Sequence, residues 1–239
     1  MLVEDEFLRN RSHVFKDRSD AGKRLAAHLQ DYRGTDALIV AIPSGGVPVA
    51  WEIHDSLEIG LDLIITRKVP IPWNTEAGFG AVNLDGDVIL NEDLLRTLNL
   101  SDEIVDYQIK KTLKTISERE RIFRKDKEFP PLKDRTLILV DDGLASGYTM
   151  RAAIDFVRKR SPYHVIIAVP TGSYATILRL MPSVDTIVCP NVREGYPFAV
   201  ADAYRHWYDL TDSDVVDILE GRKKAESPTT EKQSHRDRK

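Results

Sequence analysis

Short apolar runs alternate with helical patterns along most of this chain. Apolar runs that predict strands recur at 37–42, 61–65, 136–140, 163–169 and 184–189. Helical patterns at about 19–31, 46–58, 148–160 and 172–181 lie between most of them. Strands that alternate with helices predict right-handed crossovers and a largely parallel sheet with helices on both faces. The predicted fold is therefore a three-layer α/β domain.

Residues 70–131 interrupt the alternation and predict an insertion. Residues 77–83 and 87–91 flank Asp85-Gly86, a sequence that is typical of a hairpin turn. Ser101 is a suitable N-cap for a long helix that ends before Pro130. The apolar stripe of this helix consists of Val105, Ile109, Leu113, Ile116 and Phe123, and its basic face of Lys110, Lys111, Lys114, Arg121 and Lys125. The basic face is interpreted as solvated, and a partner-binding role stays open.

Composition and charge limit the class of protein. The single cysteine, Cys189, excludes an internal disulfide, and no apolar run approaches the length of a membrane span. We expect one domain over residues 1–220, followed by a disordered tail at 221–239, in the cytoplasm. The tail holds seven Lys/Arg and three Asp/Glu, so the remaining body carries a net charge of −8. An acidic body argues against nucleic acid as the main partner, although the basic tail leaves that contact open.

Three strand ends carry the chemically notable residues of the chain. They are residues 43–46, the pair Arg67-Lys68, and residues 141–149. Ligands of open α/β sheets bind outside the carboxyl ends of the strands. We therefore expect these three segments to meet at one edge of the sheet.

The segment 137–150 is the most informative of the three. An apolar run ends in two adjacent carboxylates, Asp141 and Asp142, and a loop of small residues leads into a helix. Free backbone N–H groups at such a strand-to-helix turn can hold a phosphate. The carboxylates can hold neighbouring hydroxyls, or Mg²⁺ that also contacts phosphate oxygens. A phosphorylated sugar has these features, and 5-phosphoribosyl-1-pyrophosphate (PRPP) fits best.

This segment resembles the signature of the type I phosphoribosyltransferases, in which an apolar strand, two acidic residues and a small-residue loop end in Gly-x-Thr. Over about 15–215, the chain is similar to the stand-alone members of that family. The resemblance implies that Asp141 and Asp142 bind the ribose hydroxyls, with Mg²⁺ held there directly, through water or through those hydroxyls. It implies that the 5-phosphate is bound by Ala145, Ser146, Gly147, Tyr148 and Thr149.

The resemblance also implies a pyrophosphate side. Ser44, Gly45 and Gly46 resemble the pyrophosphate loop of the family, and the resemblance places a cis peptide bond at Ser44-Gly45. Glycines also allow close backbone approach and φ values that other residues avoid. Arg67 and Lys68 follow the strand over 61–66 and are expected to bind pyrophosphate and act in catalysis. A ligand-free turn and a solvated basic pair are the alternatives.

The acceptor side is expected in a small hood at about 190–208. Tyr196 and Phe198, with Trp73 in the insertion, are candidates for stacking on an acceptor base, and packing in the core is the alternative. Tyr204 and Trp207 are interpreted as packing residues of a helix. The general base stays open between Glu76 and Asp202.

Together with these residues, the resemblance implies a Mg²⁺-dependent phosphoribosyltransferase that moves the phosphoribosyl group of PRPP to a nitrogen acceptor, a nucleobase or small amine, and releases pyrophosphate. The insertion would close over the site, with residues 70–100 mobile when the site is empty. The alternative is a protein that senses PRPP or a nucleotide on the same fold without turnover. The expected partners are PRPP and a small-molecule acceptor, without a membrane, and a homodimer stays open.

Overall fold

The structure is a computed structural model that describes residues 1–125, 127–195 and 197–221, without the side chains of Thr75 and Glu76. The strands are β1 Leu2–Val3, β2 Leu38–Ala41, β3 Gly60–Leu63, β4 Arg67–Ile71, β5 Asn74–Val82, β6 Val88–Leu90, β7 Thr136–Val140, β8 His164–Ala168, β9 Thr171–Ser173, β10 Thr186–Val188 and β11 Asn191–Arg193. The helices are α1 Arg18–Ala27, α2 Gly46–Leu57, α3 Glu92–Leu98, α4 Asp102–Arg124, α5 Tyr148–Arg158, α6 Tyr174–Leu180 and α7 Asp212–Leu219. Short 3-10 helices occur at Gln30–Tyr32, Met181–Ser183 and Val200–Ala203.

The central sheet has the strand order β1-β10-β8-β7-β2-β3, and each neighbouring pair is parallel. All five strands expected from the apolar runs are in this sheet, so the predicted α/β fold is confirmed. Alternate residues of the strands enter two cores. Ile138 and Val140 pack with residues of α1, α2 and α7, whereas Leu137 and Leu139 pack with residues of α5 and α6. Burial on both faces explains why these strands are apolar throughout.

The insertion forms a second, antiparallel sheet of β4, β5 and β6. The predicted hairpin is confirmed, since β5 pairs with β6 across the Asp85-Gly86 turn, where Gly86 has a φ of +81°. The long helix is also confirmed as α4, and Ser101 is its N-cap. Strand β4 and helix α3 lacked a sequence signal.

The hairpin turn is attached to the C-terminal end of α5. Asp85 forms an ion pair with Arg160 at 2.9 Å, and Asp87 forms one with Lys159 at 2.6 Å. The fully buried Asn83 donates from Nδ2 to the carbonyl of Ala152 at 3.2 Å. The β6 end of the insertion is therefore fixed to the helix that begins at the 145–149 loop.

Helix α7 completes the fold on the side of α2 and α4. Its capping box at Thr211 and Asp214 fixes its start, and its apolar face buries Val215 and Ile218. The sequence analysis assigned no element to this segment. Among the described residues, no helix is both long and apolar enough to cross a membrane.

Candidate active site

Asp141 and Asp142 follow the last residue of β7 at the carboxyl edge of the central sheet. Neighbouring strand β2 ends in register, since Ala41 pairs with Val140. The turn after β2 therefore lies beside the two aspartates, as the sequence analysis expected. The two carboxylates nevertheless have different surroundings.

Asp142 forms an ion pair with Arg18, the first residue of α1. The Arg18 Nε donates to Oδ2 of Asp142 at 2.9 Å, and the side chains are only 9% and 14% exposed. The Arg18 guanidinium also donates from Nη1 to the carbonyl of Tyr208 at 2.9 Å. It lies over the Trp207 ring, 3.9 Å from the centroid.

The sequence analysis missed Arg18. Its only signal is its position at the start of a helical pattern, where a basic residue is unfavourable to the helix dipole. Nothing local indicates that its partner is 124 residues away.

The backbone of Asp142 is held by the hood. The buried hydroxyl of Tyr204 donates to the Asp142 carbonyl at 2.6 Å. Burial, and then the charge of Asp142, raise the pKa of Tyr204 well above its usual value, so this hydroxyl stays protonated and able to donate. The expected helix around Tyr204 and Trp207 is wrong, because the helical turn ends at Ala203 and Tyr204 is extended. The packing role of Tyr204 is confirmed.

Asp141 is half-buried and accepts a hydrogen bond from the backbone N–H of Asp142 at 2.9 Å. Burial and the adjacent carboxylate of Asp142 raise the pKa of Asp141 well above its usual value. Because the Asp141 carboxyl is costly to ionise, a cation or hydroxyl donors bound beside it would stabilise its ionised form.

Two carbonyls of the 145–149 loop accept hydrogen bonds from helix α6, whereas, among the described residues, the backbone N–H groups of the loop are free. The carbonyl of Ala145 accepts from Oγ1 of Thr176 at 2.6 Å, and the carbonyl of Ser146 accepts from the Arg179 guanidinium. Within the described residues, no acceptor takes a hydrogen bond from the backbone N–H groups of 145–149. Helix α6 thus binds the carbonyls while the donors at the start of α5 remain free.

Gly147 has to be glycine in this loop. Its φ is +74°, and a Cβ at this position would come within 2.6 Å of Cγ2 of Thr176. The loop therefore requires both the left-handed backbone and the close approach of α6 that only glycine permits.

The Gly45-Gly46 turn packs directly against the aspartates. A Cβ on Gly45 would lie 2.0 Å from Oδ2 of Asp142, and one on Gly46 would lie 2.5 Å from the carbonyl of Val140. The turn does not use the φ values that only glycine tolerates, because Gly45 is right-handed at a φ of −62°. The glycines are required by close approach to β7 and Asp142.

Two further details of this turn differ from expectation. The cis peptide bond joins Pro43 to Ser44, so its placement at Ser44-Gly45 is wrong by one residue. The N–H of Gly46 donates to the carbonyl of Ile42 at 3.0 Å, which closes the turn. Among the donors of the proposed pyrophosphate loop, those of Ser44 and Gly45 therefore remain for a ligand.

The strand expected over 61–66 is shorter than predicted, so Arg67 and Lys68 do not follow it directly. Strand β3 ends at Leu63, and the two residues begin β4 of the second sheet, so their side chains alternate between its faces. Arg67 lies near Arg119 and Asp212. Burial, followed by the charge of Arg119, lowers the pKa of Arg67, and the charge of Asp212 opposes this. Their pyrophosphate role stays a prediction.

The acceptor candidates are dispersed. Trp73 lies at the tip between β4 and β5 and is 65% exposed, while the half-buried Phe198 lies under the guanidinium of Arg193, 5.3 Å from its ring centroid. Asp202 is 3.4 Å from Arg193. Tyr196, the side chain of Glu76 and residues 222–239 of the expected tail lie outside the described part of the chain.

The donor set fits a magnesium ion that arrives with its substrate. Mg²⁺ is usually bound by one or two carboxylates together with substrate phosphates and water. Two adjacent carboxylates are available, and the described residues contain no cluster of three His, Cys, Asp or Glu side chains that could hold a metal alone.

The chain matches the model of the phosphoribosyl transferase domain over residues 15–180. It is 35% identical over 207 residues to two Mycobacterium tuberculosis proteins, named "Putative phosphoribosyl transferase Rv0571c" and "Putative phosphoribosyl transferase MT0597". The match covers 87% of this chain and 46% of either relative, so the chain spans about half the length of these proteins.

A solved structure supports the fold independently. The crystal structure of TT1426 from Thermus thermophilus superposes with a TM-score of 0.68 at 32% sequence identity, covering 86% of this chain and 97% of TT1426. The family match extends from α1 through β7 and the 145–149 loop to the end of α6. This chain belongs to the phosphoribosyl transferase family.

Proposed function

We propose that this protein transfers the 5-phosphoribosyl group of PRPP to a nitrogen acceptor, with Mg²⁺, and releases pyrophosphate. One observation carries the proposal. The free N–H groups of 145–149, the two aspartates and the Gly45-Gly46 turn meet at one carboxyl edge of the sheet, in a chain of the phosphoribosyl transferase family.

Each part of this edge has a function in the proposed reaction. Loop 145–149 would bind the 5-phosphate through its backbone donors, and Asp141 would orient the ribose hydroxyls. The N–H groups of Ser44 and Gly45 would face the leaving pyrophosphate, where negative charge increases in the transition state. Bound Mg²⁺, held by Asp141 and Asp142, would neutralise part of that charge.

The test is a pyrophosphate-release assay with PRPP, Mg²⁺ and a panel of nucleobases and small amines. We expect release that requires both PRPP and one class of acceptor. Asp141→Asn should remove this activity. Asp62→Asn should keep it, because Asp62 lies in β3 and its carboxylate pairs with Arg124. Calorimetry that detects no PRPP binding to the wild type would reject the proposal.

A sensing function on the same fold is the second candidate. One observation favours it: the acceptor candidates do not form one platform, since Trp73 lies on an exposed tip and Phe198 lies under Arg193. In a sensor, PRPP or a nucleotide would bind at the same edge without turnover. PRPP binding without pyrophosphate release for any acceptor in the panel would favour this candidate.

A further inference from the structure

The roles expected for the site residues do not explain the contact between Arg18 and Asp142. The guanidinium is engaged on three sides: by the Asp142 carboxylate, by the Tyr208 carbonyl and by the Trp207 ring. Arg18 is only 8% exposed. Removing one partner of a buried ion pair costs far more than removing one partner of an exposed pair, because it leaves the other charge buried without compensation.

The Asp142 carboxylate is enclosed from the other direction by the Gly45 backbone. The position of a Cβ on Gly45 lies 2.0 Å from Oδ2 and 2.8 Å from Oδ1 of Asp142. The carboxylate therefore occupies a narrow space between α1 and the turn after β2. Its direction is set by Arg18 on one side and by Gly45 on the other.

We propose that Arg18 is a positioning residue for phosphoribosyl transfer, which fixes the Asp142 carboxylate in the orientation that meets the ribose. This inference rests on the proposed function. Arg18 acts through Asp142, because Nε, Nη1 and one face of its guanidinium are already engaged by protein groups. Asp141 has no hydrogen-bonded cation among the described residues, so the two adjacent aspartates have different surroundings.

The position of Arg18 also links the hood to the PRPP side of the site. Trp207 and Tyr208 form the support for the guanidinium, and Tyr204 binds the backbone of Asp142. The orientation of Asp142 thus depends on the segment 204–208 being packed against α1. A planar guanidinium can make the three contacts together, whereas a lysine ammonium cannot both stack and bind in this forked geometry.

The test uses calorimetry to compare PRPP with Mg²⁺ against pyrophosphate and inorganic phosphate without metal, because Mg²⁺ held by Asp141 and Asp142 would itself link pyrophosphate binding to Asp142. We expect Arg18→Met to weaken PRPP binding by about tenfold or more, the scale of a charge-assisted hydrogen bond that is lost or misdirected. Binding of pyrophosphate and phosphate should stay within about twofold, because neither ligand has ribose hydroxyls. Arg18→Lys should lose less PRPP affinity than Arg18→Met.

A double-mutant cycle tests whether Arg18 acts through Asp142. The double variant Arg18→Met/Asp142→Asn should bind PRPP no more weakly than whichever single variant binds it more weakly. The reason is that both substitutions remove the same interaction between Arg18 and Asp142. Losses that multiply in the double variant would overturn the proposal. An equal loss of pyrophosphate affinity would also overturn it, because Arg18 would then contact the anion directly.

Arg124 provides a matched control. It is also buried, forms an ion pair with Asp62 at 2.9 Å, donates to the carbonyl of Glu128 and lies 4.3 Å from the centroid of Phe129. Arg124→Met should destabilise the fold but keep PRPP affinity. Unchanged PRPP binding in Arg18→Met overturns the role of Arg18 alone, whereas a wild type that does not bind PRPP overturns the proposed function as well.

Discussion

Asp141 and Asp142 are adjacent and chemically identical, yet the fold gives them different partners. The charge of Asp142 is balanced by Arg18 at 2.9 Å. Asp141 has no hydrogen-bonded cation among the described residues, and burial together with the neighbouring carboxylate raises its pKa well above the usual value. The ionised Asp141 carboxylate therefore lowers the stability of the folded protein when no ligand is bound.

Asp141→Asn should raise the free energy of unfolding near neutral pH. The pKa of Asp141 is higher in the folded than in the unfolded protein. At pH values between these two pKa values, the unfolded protein therefore binds fewer protons than the folded one. The free energy of unfolding then falls as the pH rises through this interval. The gain in the variant should therefore be present at neutral pH and disappear below about pH 4, near the unfolded pKa. Urea denaturation at several pH values measures it.

Asp142→Asn is the control for this prediction, with the opposite sign. It leaves the buried Arg18 guanidinium without its carboxylate, and breaking a buried pair in this way costs about 3–5 kcal/mol. Equal effects of the two substitutions on stability would contradict the difference between the aspartates.

At the scale of elements, the start of α5 is prepared to bind an anion. A crystal grown in sulfate or phosphate should contain an anion bound by the N–H groups of 145–149 and a hydroxyl of Ser146 or Thr149. The reason is that helix α6 takes the carbonyls of Ala145 and Ser146 and leaves the donors free. Electron density that shows these N–H groups diverging, without an anion, would contradict the expectation.

Gly147→Ala tests the same loop in solution. It imposes a positive φ on alanine and brings its Cβ within 2.6 Å of Thr176, so PRPP and phosphate affinity should both fall. Gly86→Ala is the matched control, because its φ is +81° but its Cβ would be 3.9 Å from the nearest atom, on Leu113. Both variants should lose about 1 kcal/mol of stability to the backbone strain, and Gly86→Ala should keep its affinity for PRPP.

One end of the insertion is attached to α5 and the other end is exposed, so only the exposed end remains as a segment that could close over the site. Its β5–β6 turn is tied to α5 through Asp85 and Asp87, whereas the β4–β5 tip exposes Trp73. The whole segment 70–100 was expected to be mobile in the empty protein. The ion pairs restrict this proposal to the tip near residues 72–78.

Trp73→Ala should lower turnover more than PRPP affinity if the tip covers the reacting centre, because exclusion of water matters mainly in the transition state. The exposed position predicts a stability change within about 0.5 kcal/mol. Tyr163→Ala, an aromatic residue that is 68% exposed at the amino end of β8, should alter neither quantity. Equal losses of turnover and PRPP affinity in Trp73→Ala would contradict a closing role.

For the whole molecule, the sequence predicted the elements whose patterns are local. The five apolar runs and the strand-to-helix loops gave the central sheet and its functional edge, because burial on both faces leaves a continuous apolar run. The partners of side chains distant in sequence could not be predicted. Arg18 and Asp142 are 124 residues apart. The strand before Arg67 was predicted too long, because an apolar run does not reveal that its last residues leave the sheet.

The last prediction concerns the stability of the whole protein with its proposed ligand. PRPP at about 100 times its dissociation constant should add about 2.7 kcal/mol to the free energy of unfolding, which corresponds to a rise in melting temperature of about 5–10 °C for a chain of this size. Because both aspartates and the phosphate groups share the expected Mg²⁺, EDTA should remove much of this rise. In parallel, an enzyme should release pyrophosphate with one class of acceptor, and a sensor should show the same thermal shift without release. A melting temperature that PRPP leaves unchanged would contradict the transferase and a PRPP sensor alike, because each requires PRPP to bind the folded site.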